Sequence, residues 1–259
     1  MKKSFIFLVA CLVMVTAASA QKQLKSWKEW NRKEAEKIFN DSPWSHTQTE
    51  TASSQQADVN TNFGDTRGRE DAVRNVSTST SVTLHVRFFS ARPIRQAYVR
   101  MLQTAETPPD ATGVERMEAW ASLPPDERII VALAYTGDQR AAARIAGALR
   151  RATTEDMKSS IFLERADGKR VSLAEYTAPS KDVFGARFIF PRTLEGQPFL
   201  SADAGTIHFH IEYVPKMPEA SAAPQTNARG ATAAPDSYKL KVDAKFKVAD
   251  MMYGGAIEY

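Results

Sequence analysis

His208-Phe209-His210-Ile211-Glu212 is the segment whose residue types are best suited to chemistry. A strand's period of two puts His208, His210 and Glu212 on one face, within reach of a single ion. Imidazole and carboxylate are suitable zinc ligands, and an open fourth position could hold an activated water. Ile207, Phe209, Ile211 and Tyr213 then form the opposite, core-facing row. An amphipathic strand needs polar residues on its wet face whatever its task, so the segment reads first as a strand and only second as a zinc site. No other cofactor is indicated.

Other groups invite the same double reading. Lys239, Lys241, Lys245 and Lys247 make a basic row that could meet anionic polymers or lipid head groups. Lysine on an edge strand also blocks sheet-to-sheet aggregation, and that role is the commoner one. Arg87, Arg92, Arg95 and Arg100 surround a strand-to-helix turn and read as an anion site or a solvated surface. Trp27, Trp30 and Trp44 could stack on sugars, yet a helical aromatic stripe is more often a face docked on a core. Tyr135-Thr136-Gly137-Asp138 has the position of a phosphate loop without its glycines. The sequence holds no Gly-x-Ser-x-Gly elbow, His-Glu-x-x-His, Walker loop or paired-cysteine site, which counts against the common hydrolase and NTPase classes.

The start of the chain is an export signal by its order of regions. Lys2 and Lys3 precede an apolar run from Phe5 to Val15, and Ala18-Ser19-Ala20 supplies the small residues that a peptidase needs, with cleavage between Ala20 and Gln21. The run falls short of the ~20 residues that span a bilayer, and no later segment is comparably apolar. Cys11, the sole cysteine, lies inside the signal. Leu8-Val9-Ala10-Cys11 also has the residue types of a lipoprotein box, but lipidation there would leave Leu12 to Val15 exposed at the new amino terminus. The mature chain is therefore expected to be periplasmic or extracellular, without disulfides, thiolate ligands or a transmembrane helix. A net charge of +4 on 259 residues, two of those charges lying in the signal, is no nucleic-acid footprint.

The remaining pattern places these residues on elements. Residues 21–44 read as an amphipathic helix segment, with a helix from Trp27 to Phe39 capped by Ser26 and Glu29. Residues 45–80 are too poor in apolar side chains to offset the entropy of ordering and read as a flexible linker. Residues 81–214 form the globular part. It has a half-buried strand at Val82–Phe88, a helix opened by Pro93, and a short helix carrying Val114, Met117 and Trp120. A buried central strand at Ile129–Tyr135 and a helix capped at Thr136–Gln139 follow, then strands at Ile161–Leu163, Val171–Leu173, Val183–Phe190 and Ile207–Val214. Residues 215–236 are rich in Ala and Pro and read as disordered. Residues 237–259 return as a clean alternating strand able to pair with the main sheet. Strands outweigh helices, which predicts a mainly β, α+β fold with an antiparallel sandwich-like core.

Four segments carry a resemblance: Lys37–Trp44, Val86–Ala97, Phe184–Arg192 and Met251–Tyr259. Together they resemble a group of uncharacterised exported bacterial proteins. The resemblance implies a shared fold and an envelope location, and it brings no catalytic residues. The sequence thus points to a non-enzymatic envelope module that binds a protein or polymer. The alternative is a metal-dependent extracytoplasmic enzyme using His208, His210 and Glu212.

Overall fold

The computed structural model describes residues 25–54, 78–180, 182–215, 225–226, 232–233 and 239–259. The expected signal sequence, with Cys11, Ala20 and Gln21, lies outside them. So do residues 55–77 of the expected linker and most of 215–236.

The first helix starts later than its sequence suggests. Trp27–Glu29 forms only a 3₁₀ turn, Ser26 makes no side-chain cap, and Trp30 is extended. Helix α1 (Arg32–Asn40) is capped instead by Asn31, whose side chain accepts from Glu34 N while the Glu34 carboxylate accepts from Asn31 N. The reason is geometric. Trp30 and Phe39 lie nine residues apart, two and a half turns at 3.6 residues per turn, so an unbroken helix would point them opposite ways. The break lets both be buried.

The stretch read as a linker is a strand at both described ends. β1 (Ser45–Ser54) pairs antiparallel with β2 (Thr78–Phe88) along its whole length. Backbone hydrogen bonds to a neighbouring strand require no apolar side chain, so an edge strand can be polar throughout. Helix α2 (Arg92–Gln103) has Pro93 in its first turn, and α3 (Ala111–Ser122) is capped by Asp110. Strand β3 (Arg128–Gly137) is central and buried, as its apolar run requires. Helix α4 (Gln139–Arg151) is capped by Asp138 rather than Thr136, because Thr136 still belongs to β3. Next come α5 (Thr154–Met157), β4 (Ile161–Arg165), β5 (Arg170–Ser172), β6 (Glu175–Thr177) and β7 (Ala186–Pro191). The short strands β8 (Thr193–Leu194) and β9 (Gln197–Pro198) form a hairpin ahead of β10 (Thr206–Tyr213). Within the region read as disordered, β11 (Gln225–Thr226) and β12 (Thr232–Ala233) pair with each other. The chain ends with β13 (Leu240–Lys247), β14 (Met252–Tyr253) and β15 (Ala256–Ile257).

The fold is mainly β with added helices. One sheet has the order β1-β2-β3-β7-β6 and the other β13-β10-β4-β5, and their ladders are antiparallel. The inner faces meet through aromatic pairs, Phe88 on Phe246 at 4.8 Å and Phe188 on Phe209 at 5.4 Å, which is how two packed sheets share one core. At one border the chain itself crosses between the sheets. Leu173 N donates to Ile161 O of the second sheet, and Ala174 N donates to Ile189 O of the first. At the other border the Gln48 side chain acts as a substitute peptide group, donating to Lys241 O at 3.2 Å and accepting from Asp243 N at 3.3 Å.

The outer face of the first sheet carries α1, α2 and α3. Phe39 of α1, Tyr98 of α2 and Trp120 of α3 form an aromatic cluster with Phe89 and Phe184 over its middle. Trp30 and Trp44 are buried and Trp27 is packed against the core, as expected of a docked stripe. The helices stop short of the sheet end where Thr47, Thr83, His85 and Thr136 stand. That uncovered end is the floor of a cleft.

Candidate binding cleft on the first sheet

Strand alternation decides which side chains reach this floor. His85 and Arg87 share one face of β2, and the register sets Ala134 opposite His85 and Ala132 opposite Arg87. Alanine at both positions leaves room above the sheet. The resulting cleft has a volume of about 430 Å³, with His85, Arg87, Ala134 and Thr136 below and Phe39, Asn40, Asp182 and Val183 around it. Gly185 is needed next to them. Its φ is +71°, and a Cβ there would fall 2.2 Å from Leu133 O, inside the backbone of β3.

His85 is held on both sides by hydroxyls. Its Nδ1 lies 3.5 Å from Thr47 Oγ1 and its Nε2 3.2 Å from Thr136 Oγ1. Burial, with the nearby Arg87 charge as a lesser cause, pushes its pKa below the ordinary value. Asp182 accepts from Ser180 Oγ and Phe184 N and is ion-paired with Arg187.

Arg87 is different. Its side chain is only 4% exposed. Nε donates to Phe39 O at 2.8 Å and Nη2 to Asn40 Oδ1 at 2.8 Å, and the guanidinium carbon stands 4.1 Å from the Phe39 ring centroid. These contacts complement the carboxyl-terminal carbonyls of α1. Nη1 has no partner among the described residues, and burial lowers the arginine's pKa to about 10. This is an arginine desolvated without a carboxylate to balance it.

The other arginines read as one anion site are pulled apart. Arg92 binds the buried carboxylate of Glu258, Arg95 donates to Trp120 O and Leu123 O where α3 ends, and Arg100 donates to Trp30 O. Each ties two segments together, so the expected cluster is not a single site. The 135–138 turn lies at the cleft rim, but Asp138 itself accepts from Arg140 N and Ala141 N. The carboxylate stands where a phosphate would have to bind.

On the second sheet, His208, His210 and Glu212 share the outer face of β10, with Ile207, Phe209, Ile211 and Tyr213 buried behind them. His210 Nε2 lies 3.8 Å from Glu212, but the three side chains do not converge on one point. His208 Nδ1 is 3.7 Å from Asp243, His210 stacks on Phe162 at 4.8 Å, and Glu212 pairs with Lys239. Among the described residues no group of three or more His, Cys, Asp or Glu is placed to hold a metal ion. Lys241, Lys245 and Lys247 are exposed on β13, an edge strand of this sheet. No described helix is long and apolar enough to cross a membrane.

The cleft was not visible in sequence as a site. Alternation placed His85 and Arg87 together on the polar face of β2, which was the available signal. Thr47 lay in a stretch read as linker, and the cover by Phe39 depends on a helix boundary that moved.

No protein-family model matches the chain, and no curated protein matches it. Among solved structures the chain is similar to a novel protein of unknown function from Burkholderia pseudomallei. The two share 12% identity over 62% of this chain and 74% of the other, with a TM-score of 0.31, a likeness too weak to fix a fold or a function.

Proposed function

We propose that the chain is exported and works outside the cytoplasm as a non-enzymatic binding module, with the cleft on the first sheet as its binding site. One observation carries the binding reading: Arg87, almost fully buried and lining the cleft, keeps an unpartnered Nη1. Burying an unbalanced cation costs several kcal/mol, and a ligand bound in the cleft would offset that cost. The other polar groups here are spent on each other. His85 Nε2 lies 3.2 Å from Thr136 Oγ1, but its other ring nitrogen faces the Thr47 hydroxyl instead of an orienting carboxylate, and the Asp182 carboxylate is spent on Arg187. Export is supported by Lys2 and Lys3, the apolar run and the Ala18-Ser19-Ala20 site.

The test has two parts. Amino-terminal sequencing of protein from the extracytoplasmic fraction should begin at Gln21, whereas an intact Met1 in the cytoplasm would overturn export. Denaturing the natively purified protein should release a small molecule, detected by mass spectrometry, that is missing from Ala134→Leu, in which the added side chain fills the cleft. Equal release from both would remove the cleft from the reading. Elemental analysis separates this reading from metal-dependent chemistry at His208, His210 and Glu212. A binding module retains no stoichiometric zinc, while one equivalent that disappears in His208→Ala/His210→Ala would favour the enzyme.

A further inference from the structure

We infer that the cleft takes a small monoanionic carboxylate with an apolar body, its charged end against Arg87 and its body along Phe39 and Val183. This rests on the binding-site reading above and adds the chemical class of the ligand.

The charge of the ligand follows from the charges already present. Arg187 is balanced by Asp182, and His85 is a hydrogen-bonded ring whose charged form is disfavoured, which leaves Arg87 as the unbalanced charge among the described lining residues. A single positive charge matches a single negative one. A dianion would leave one charge uncompensated in a partly desolvated space that also contains the Asp182 carboxylate. The helix terminus nearest the rim offers nothing to a phosphate, because Asp138 occupies its first free N–H groups. The planar guanidinium instead suits a carboxylate, and Nη1, itself shut off from solvent, has no acceptor among the described residues.

The apolar body follows from the walls. Phe39 presents its ring beside the guanidinium, and Val183 and Pro179 line the remaining sides. Val183 is 56% exposed, a large aliphatic side chain left in water beside the cleft. A volume of about 430 Å³ lies at the smaller end of the range for small-molecule sites.

The test is calorimetric titration of the purified protein with hexanoate, hexanol, hexylammonium and inorganic phosphate. Hexanoate should bind saturably and at least tenfold more tightly than hexanol or phosphate, and hexylammonium should not bind. Arg87→Gln should weaken hexanoate at least tenfold while bringing it level with hexanol. Because Arg87 also holds α1, that variant may be checked against Ala134→Leu, which keeps the arginine and should abolish hexanoate binding with the circular-dichroism spectrum unchanged. Hexanol binding as tightly as hexanoate, and lost in Ala134→Leu, would overturn the carboxylate but leave the cleft a binding site. Tighter binding of phosphate would overturn the monoanion. Hexanoate binding unchanged in Ala134→Leu, or no hexanoate binding at tens of millimolar, would overturn the inference.

Discussion

His85 and Arg87 show how burial turns two ordinary polar positions into a coupled pair. Both belong to the wet face by alternation alone, and the structure desolvates them by laying Phe39 over one and threonines around the other. A lone sequence records the alternation but not the cover, because the cover comes from residues 38 to 51 positions away. The depressed pKa of His85 has a definite sign in stability. The folded chain binds the proton less readily than the unfolded chain, so the stabilisation is complete above the ordinary value of 6.5 and is lost as pH falls from there through the folded value. In urea unfolding at pH 7.5 and 5.5, wild type should lose more stability on acidification than His85→Asn. Equal losses would show that His85 is not the titrating group.

Among the elements, β10 and β13 were readable to within a residue or two, since strict alternation over eight residues leaves one way to face the core. β1 was not readable. Its residues are Ser, His, Thr, Gln, Glu and Ala, and its place is earned by pairing with β2 and by Gln48 at the border with β13. A hydrophobic pattern cannot report a strand held by its backbone and one amide side chain. Gln48→Ala should cost about 1–2 kcal/mol for two lost hydrogen bonds, measured by urea unfolding. It should also expose the edges of β1 and β13, so aggregation at high protein concentration should rise, seen by light scattering. A variant as stable and as soluble as wild type would mean that the sheets meet by core packing alone.

At the scale of the whole molecule, the four segments that carry the resemblance converge although they are far apart in sequence. Phe39 meets Phe184, Trp44 Nε1 donates to Glu258 O at 2.7 Å, Arg92 pairs with Glu258, and Arg192 lies over the Tyr259 ring. Glu258 is 1% exposed, and its carboxylate also accepts from Arg92 N at the start of α2, where Ala91 provides no side-chain cap. It serves as both partner and cap. Removing it in Glu258→Ala should cost about 2–3 kcal/mol, less than for a fully buried pair because Arg92 is a third exposed and can turn to water. Arg92→Ala should be partly redundant with it in a double-mutant cycle, and additive losses would deny the coupling. The mainly β class was legible because alternating strands dominate the sequence. The way the sheets close was not, because it depends on single residues such as Gln48 and Glu258 meeting distant backbone.

The most direct test of the binding cleft is the side-chain nitrogen NMR spectrum of Arg87, assigned by its loss in Arg87→Gln, recorded while hexanoate is added. The account predicts that the Arg87 Nη signals shift saturably and that the ion-paired Arg92 and Arg187 signals stay in place. Arg87 signals unmoved at saturating hexanoate, or shifts shared equally by all three arginines, would contradict it.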